Sequence, residues 1–212
     1  DIVTRVWSED EPFDYDGEFY TLRQTVLEPK PADRRRPMLV CAGSSEAGRT
    51  FALKNTDMLF NVAWDLDTIP DQTAAIRQDA AAIGREVGVF TNAYVVCRPT
   101  AREAEEYHHY YAVEHADTEA VETMVVERGL DRPGVPEELR RLFRLRSAGG
   151  NGAMPIVGDP DKVAEQMRVL SESGITALAL GLPNYLKELP ILRDEVLPRL
   201  ERMGLRRPGG DA

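Results

Sequence analysis

Four short apolar runs, at residues 38–41, 58–64, 91–97 and 177–181, are each followed by a stretch of helical character. This alternation limits the fold more than any other feature of the chain. An apolar run of that length, without polar alternation, is a strand covered on both faces, as in a parallel sheet flanked by helices. Parallel neighbours require a crossover, and strand–helix–strand crossovers are right-handed. The pattern therefore predicts an α/β fold built on a parallel sheet. None of the four runs carries a Lys or Pro, so the ends of an open four-stranded sheet would be unprotected. An open sheet and half of a (β/α)8 barrel both satisfy these observations.

The helices are marked by ordinary punctuation. The last unit is the cleanest: Asp159 is placed to cap, Pro160 takes the first helical position, Val163, Met167 and Leu170 form a core stripe, and Gly174 ends the helix. A final helix is expected over 189–203. Earlier helices are expected over 46–55, between Pro70 and Gly84 or Gly88, and from Pro99-Thr100 through His115. Gly129, Pro133 and Pro136 interrupt further helical sequence across 119–146. Residues 1–7 have the character of a helix tail, and 13–20 alternate like a hairpin turning at Asp16-Gly17. Gly149-Gly150-Asn151-Gly152 is too rich in glycine for a helix and is expected to be a mobile loop.

Composition removes several functions. A net charge of −10 opposes nucleic-acid binding, which needs clustered Lys and Arg. Arg34-Arg35-Arg36 and Arg140-Arg141 are too short to count as such clusters. No run approaches the ~18 apolar residues of a membrane span. Cys41 and Cys97 both lie in apolar runs and are expected as core thiols in a reducing compartment. The chain opens at Asp1 with no initiator Met or signal peptide, and a cytoplasmic location is expected. His108 and His115 share a helix face, but Tyr107, Tyr110 and Tyr111 crowd them and no further ligand is evident, so no metal is expected. No G-x-S-x-G elbow supports a serine hydrolase.

The turn Ala42-Gly43-Ser44-Ser45 is the most suggestive local motif. Gly43 admits close approach of a backbone or ligand, while Ser44 and Ser45 stand at the positive end of a helix dipole, where an anion such as phosphate is favoured. Ser45 acting only as a helix cap accounts for the same residues.

Taken together, several blocks resemble the bacterial luciferase-like flavin-dependent monooxygenases. They are Phe13-Asp14-Tyr15-Asp16-Gly17-Glu18-Phe19-Tyr20, then Pro29-Lys30-Pro31, then Cys41-Ala42-Gly43-Ser44-Ser45-Glu46-Ala47-Gly48. Pro155-Ile156-Val157-Gly158-Asp159-Pro160 and Glu195-Val196-Leu197-Pro198 complete the set. The serine block is most similar to the pyrimidine and alkanesulfonate monooxygenase branch. The resemblance implies the last four β/α units of a TIM-type (β/α)8 barrel, with residues 1–212 one domain that lacks the first half of the barrel. It further implies reduced FMN supplied by a separate flavin reductase, O2, and a small organic substrate. Gly43, Ser44 and Ser45 would contact the FMN phosphate. Trp64, Arg146, Asn184 and Tyr185 are candidates for the substrate pocket, with Arg146 suited to an anionic substrate beside the 149–152 segment. The catalytic base is not identified. The missing half-barrel or a second chain is an expected partner, as is a homo-oligomer, and the chain alone is expected to be inactive. An F420-dependent oxidoreductase of the same barrel class, or a flavin-binding remnant without catalysis, are the alternatives.

Overall fold

The structure, a computed structural model, describes all residues except 32–35, 44, 63–65 and 209–212. Residues 1–40 and 41–212 form two compact units. In the first, helix α1 (Ile2–Ser8) precedes an antiparallel hairpin of β1 (Phe13–Asp16) and β2 (Thr21–Thr25). The hairpin turn occupies residues 17–20, closed by Gly17 N–H donating to the Tyr20 carbonyl at 2.9 Å, slightly beyond the expected corner. Lys30 Nζ donates to the carbonyls of Val6 (2.9 Å) and Glu9 (2.5 Å), at the end of α1 where a cation complements the dipole. Arg5 lies 3.8 Å over the buried Phe13 ring.

A short strand β3 (Val40–Cys41) opens the way to the second unit. There α2 (Glu46–Asn55), β4 (Met58–Phe60), α3 (Ile69–Ala82) and β5 (Gly88–Cys97) alternate as the sequence predicts. Next come α4 (Ala101–His109), a π-helical turn over Tyr110–Glu114, α5 (Thr118–Glu127) and α6 (Glu137–Gly150). The chain closes with β6 (Met154–Gly158), α7 (Pro160–Glu172), β7 (Ala177–Gly181), α8 (Tyr185–Ile191), a second π-helical turn and α9 (Leu197–Arg202). The last helical stretch therefore begins four residues before the expected Leu189. Asp159 Oδ1 accepts the Lys162 N–H at 2.9 Å, so the cap read from the sequence is in place.

Strand β5 is the hub of the sheet, and β4, β6 and β7 all run parallel to it. Phe90 pairs with both Phe60 and Ala177, while Ala93 and Tyr94 pair with both β6 and β7. A residue with two strand partners has one on each side, so β7 takes one edge of β5 and β4 and β6 share the other. The four anticipated strands thus neighbour one another in chain order, β3-β4-β5-β7, and β6 is an addition beside the upper half of β5. Its Pro155, which lacks an N–H, is tolerated because β6 has a single strand neighbour among the described residues.

The two faces of β5 differ. Val89, Ala93, Val95 and Cys97 enter the main core with Ile69 and Ile76 of α3, Val163, Ala164, Met167 and Leu170 of α7, and Val196 and Leu200 beyond them. Tyr94 and Val96 face the other way and meet Ala104 and Ala153, while Phe90 and Asn92 on that face are only half-buried. Burial of a Val, Leu or Ile side chain contributes about 1.5–3 kcal/mol, so the main core dominates stability.

One expectation is corrected. Gly149 and Gly150 are not a loop but the last turn of α6, which Asn151 ends in the left-handed region at φ 52°. A Cβ on Gly149 would lie 2.4 Å from Tyr94 Oη, and one on Gly150 2.2 Å from the Tyr94 ring. The glycines are there so that the helix can lie against that ring. Among the described residues no helix is long and apolar enough to cross a membrane.

Candidate active site

Two features gather where the parallel strands end. The first is the corner between β3 and α2. Ser45 is the N-cap of α2, with φ −73° and ψ 160°, and its Oγ accepts the Gly48 N–H at 3.1 Å. Its carbonyl accepts the Arg49 N–H at 2.7 Å. A Cβ on Gly43 would stand 2.5 Å from the Gly48 carbonyl carbon, so two glycines allow turn and helix to touch. The cap reading of Ser45 is therefore realised, and the corner retains anion-binding capacity. The N–H groups of Glu46 and Ala47 lie in the first turn, which has no intrahelical acceptors. While Ser45 Oγ accepts from Gly48, its own hydroxyl proton remains available to donate outward. Ser45 and Glu46 are exposed, and the Glu46 carboxylate opposes an anion. Ser44 lies outside the described residues.

The second feature is a pair of adjoining cavities on the less covered face of the sheet. One, of about 390 Å³, is lined by Asn92, Tyr94, Gly149, Gly150, Asn151, Gly181 and Tyr185, among others. The other, of about 450 Å³, includes Phe60, Val62, Asn92, Arg128, Phe143 and Asn151. Asn92 and Asn151 line both. Apolar walls with a few convergent amides are the usual composition of a small-molecule site. The Phe60 and Phe90 rings meet at 4.9 Å on this face.

Tyr94 is the most constrained member of the wall. Its hydroxyl is 2.8 Å from His108 Nε2, and Tyr111 on the π-helical turn donates to the Gly149 carbonyl at 3.1 Å. Burial pushes the Tyr94 hydroxyl far above its ordinary pKa, with the positive charge of Arg146 working against the shift. Burial likewise holds His108 below the ordinary histidine value, with a lesser contribution from His109. The Cys97 thiol is pushed up to about 11 by burial and is protonated at neutral pH. Cys41 and Cys97 are both free.

The expected pocket residues separate. Tyr185, 57% exposed, reaches the smaller inner cavity. Asn184 instead caps α8, accepting the Lys187 N–H at 3.2 Å, and lines neither inner cavity. Arg146 is buried and borders a separate cavity of about 250 Å³ with Met154, Ile156, Val169 and Leu170. Trp64 lies outside the described residues. Asn61, just past β4, is engaged in structure: its side chain donates to Gln72 Oε1 at 2.8 Å and its N–H to the Phe90 carbonyl at 2.9 Å. Sequence reasoning missed Asn92, Tyr94 and Asn151. The signal for Asn92 was present, as the one amide inside an otherwise apolar strand, two positions before Tyr94 and on the same face.

Comparison with known proteins follows this geometry. A model of the family described as luciferase-like monooxygenase matches residues 1–177. An FMNH2-dependent dimethylsulfone monooxygenase of Pseudomonas putida is 29% identical over 203 residues, 93% of this chain and 55% of that protein. The pyrimidine monooxygenase RutA of Escherichia coli K12 is 25% identical over 194 residues, 89% of this chain and 50% of its own length. The solved structure of DmoA from Hyphomicrobium sulfonivorans superposes with a TM-score of 0.77, covering 97% of this chain and 50% of that one at 21% identity. The chain spans about half the length of the curated relatives it matches.

Proposed function

Because the chain belongs to the luciferase-like monooxygenase family, we propose that residues 1–212 are the closing half of a TIM-type (β/α)8 barrel and serve an FMNH2-dependent monooxygenase. The observation that carries this is the asymmetry of the sheet. One face is sealed along its length by α3 and α7, whereas the other, covered by α4 and α6 around Tyr94 and Val96, holds two cavities beside the C-terminal ends of the strands, where barrels of this type place their chemistry. The remaining half of the barrel, from outside these residues or from a second chain, covers that open face.

Within this reading Gly43, Ser44 and Ser45 hold the FMN phosphate, through the N–H groups at the start of α2 and the Ser45 hydroxyl. Reduced flavin, supplied by a separate reductase, provides the redox chemistry with O2 when bound. The chain's own residues bind, orient and exclude water. Asn92 and Asn151 supply directional hydrogen bonds, and Tyr185 walls the cavity. Arg146, set apart from the inner cavities, stabilises from behind and does not meet the substrate. The assembly works in the cytoplasm on a small organic substrate.

The test is an FMN fluorescence titration of the assembled protein and its Ser45→Ala variant, followed by O2 uptake with FMNH2. Expected is a loss of roughly tenfold in FMN affinity, the worth of about one charge-assisted hydrogen bond. Equal affinity in the two proteins sinks the phosphate assignment. F420 binding in place of FMN assigns the barrel to deazaflavin chemistry, and flavin binding without any O2 uptake marks a non-catalytic remnant.

A further inference from the structure

Tyr94 and His108 stand at a partition. Tyr94 lines the smaller inner cavity, whereas His108 lines a wider groove of about 840 Å³ on the helical side. The two side chains meet at 2.8 Å, so a single hydrogen bond joins the wall of one space to the wall of the other. The surrounding backbone accommodates the contact: Gly149 and Gly150 leave room for the Tyr94 ring, and the helix carrying His108 passes into a π-helical turn at Tyr110. Such turns are frequent at functional sites. Tyr111, on that turn, packs its ring edge-on to His108 at 5.6 Å. None of this is needed to fill the core, for which a Phe and a Leu would serve.

We propose that Tyr94 and His108 form a proton relay between the inner cavity and the solvent of the outer groove, Tyr94 facing the bound substrate and His108 acting through it. This rests on the monooxygenase reading for the identity of the inner site. With the His108 proton on Nδ1, a proton released in the inner cavity bonds to Tyr94 Oη while the original Oη–H bond breaks and a Nε2–H bond forms. Tyr94 ends neutral and His108 ends as imidazolium, which then loses its Nδ1 proton to water in the groove. The reverse sequence delivers one proton inward. Both groups are held neutral at rest by burial, so neither traps the proton.

The charged groups around His108 are largely balanced. His109 and Tyr111 adjoin it, and Arg146 acts on its partner Tyr94. In the groove, Arg144 pairs with Glu122 at 2.6 Å and Lys162 with Glu105 at 2.9 Å, while Arg141 is taken by Glu138 at 2.8 Å. The His108 shift is thus governed by burial and then by His109, while Tyr94 is its hydrogen-bond partner.

Ring-proton NMR of the full chain, followed from acid to neutral pH, reads the coupling directly. Tyr94→Phe is expected to move the His108 midpoint, with far-UV circular dichroism as the check on folding. In the flavin-loaded assembly, Tyr94→Phe and His108→Gln should each lower kcat roughly tenfold or more and flatten the same limb of the pH profile, with KM unchanged. The double variant should be no slower than either single variant. An unmoved His108 titration in Tyr94→Phe overturns the relay. So does wild-type turnover with an unchanged pH profile in His108→Gln, and if FMN binding persists there the monooxygenase reading stands. Loss of FMN binding in the unmutated assembly sinks the monooxygenase reading instead, and the NMR arm then judges the relay alone.

Discussion

The two faces of β5 obey different rules although they alternate along one strand. On the helix side, Val89, Ala93, Val95 and Cys97 are at most 3% exposed and touch residues of α3 and α7. On the opposite side, Phe90 and Asn92 remain half-buried and Tyr94 is engaged by a histidine. Period-two alternation sends neighbouring side chains to opposite faces, so one strand both closes a core and furnishes a cavity. The sealed face holds the fold together, and the other face borders the two cavities.

The sharpest way to break this comparison is a matched pair of substitutions on β5. Val95→Asp puts an unpaired carboxylate into the sealed face and should cost more than about 4 kcal/mol, enough to unfold the chain. Asn92→Asp, three residues earlier and facing the cavities, should cost less than about 1 kcal/mol. Urea denaturation followed by far-UV circular dichroism measures both. Equal costs would mean that the open face is as tightly structural as the sealed one.

A smaller effect is expected at the seam where α6 lies on Tyr94. Gly150→Ala drives a methyl group into that ring, at 2.2 Å before relaxation. Overpacking of this kind costs about 1–3 kcal/mol. Near-UV circular dichroism should change as well, because the Tyr94 ring must move. A neutral outcome, with the tyrosine signal intact, would restore the 149–152 segment to the loop expected from its composition.

Smaller again is the contrast between two helix starts. Thr100 and Glu103 form a complete capping box at the start of α4, and Ser45 caps α2 with one bond. Thr100→Ala and Ser45→Ala should each cost about 1 kcal/mol of folding stability. Only Ser45→Ala should also weaken FMN. If Thr100→Ala weakens FMN equally, the effect is general loosening and the corner has no special role.

These contrasts also explain what could be read in advance. The four strands and the helix carrying Val163, Met167 and Leu170 were legible because burial imposes periodicity on the sequence. β6 was not, since Gly152 and Pro155 mask a strand that pairs along one edge among the described residues. The last turn of α6 was misread because Gly149 and Gly150 answer to a ring 55 residues earlier, a tertiary demand with no local trace. At the site, Gly43 and Ser45 were legible as a strand-to-helix corner. The Tyr94–His108 bond was not: each residue has an ordinary reading alone, and only the crossing of β5 and α4 brings them together. Arg146 turned out to border a separate cavity, because a charge in a polar-looking segment gives no hint of which face of the helix it will occupy.

The smallest expected effect is a pH dependence of stability that separates the two faces. His108 has its pKa lowered in the fold below the ordinary value of 6.5, first by burial and then by the neighbouring His109. A depressed pKa means that the folded state binds the proton less readily than the unfolded chain does. Stability is therefore full above about 6.5 and is lost as pH falls from there through the lower folded value, the unfolded state being the one that gains protons. Thermal melts in that window should show a fall in Tm that His108→Gln removes. Cys97, on the sealed face, titrates near 11 and has no part in this window. A fall in Tm of equal size in the His108→Gln variant would transfer the effect to the surface carboxylates and leave the open face electrically silent.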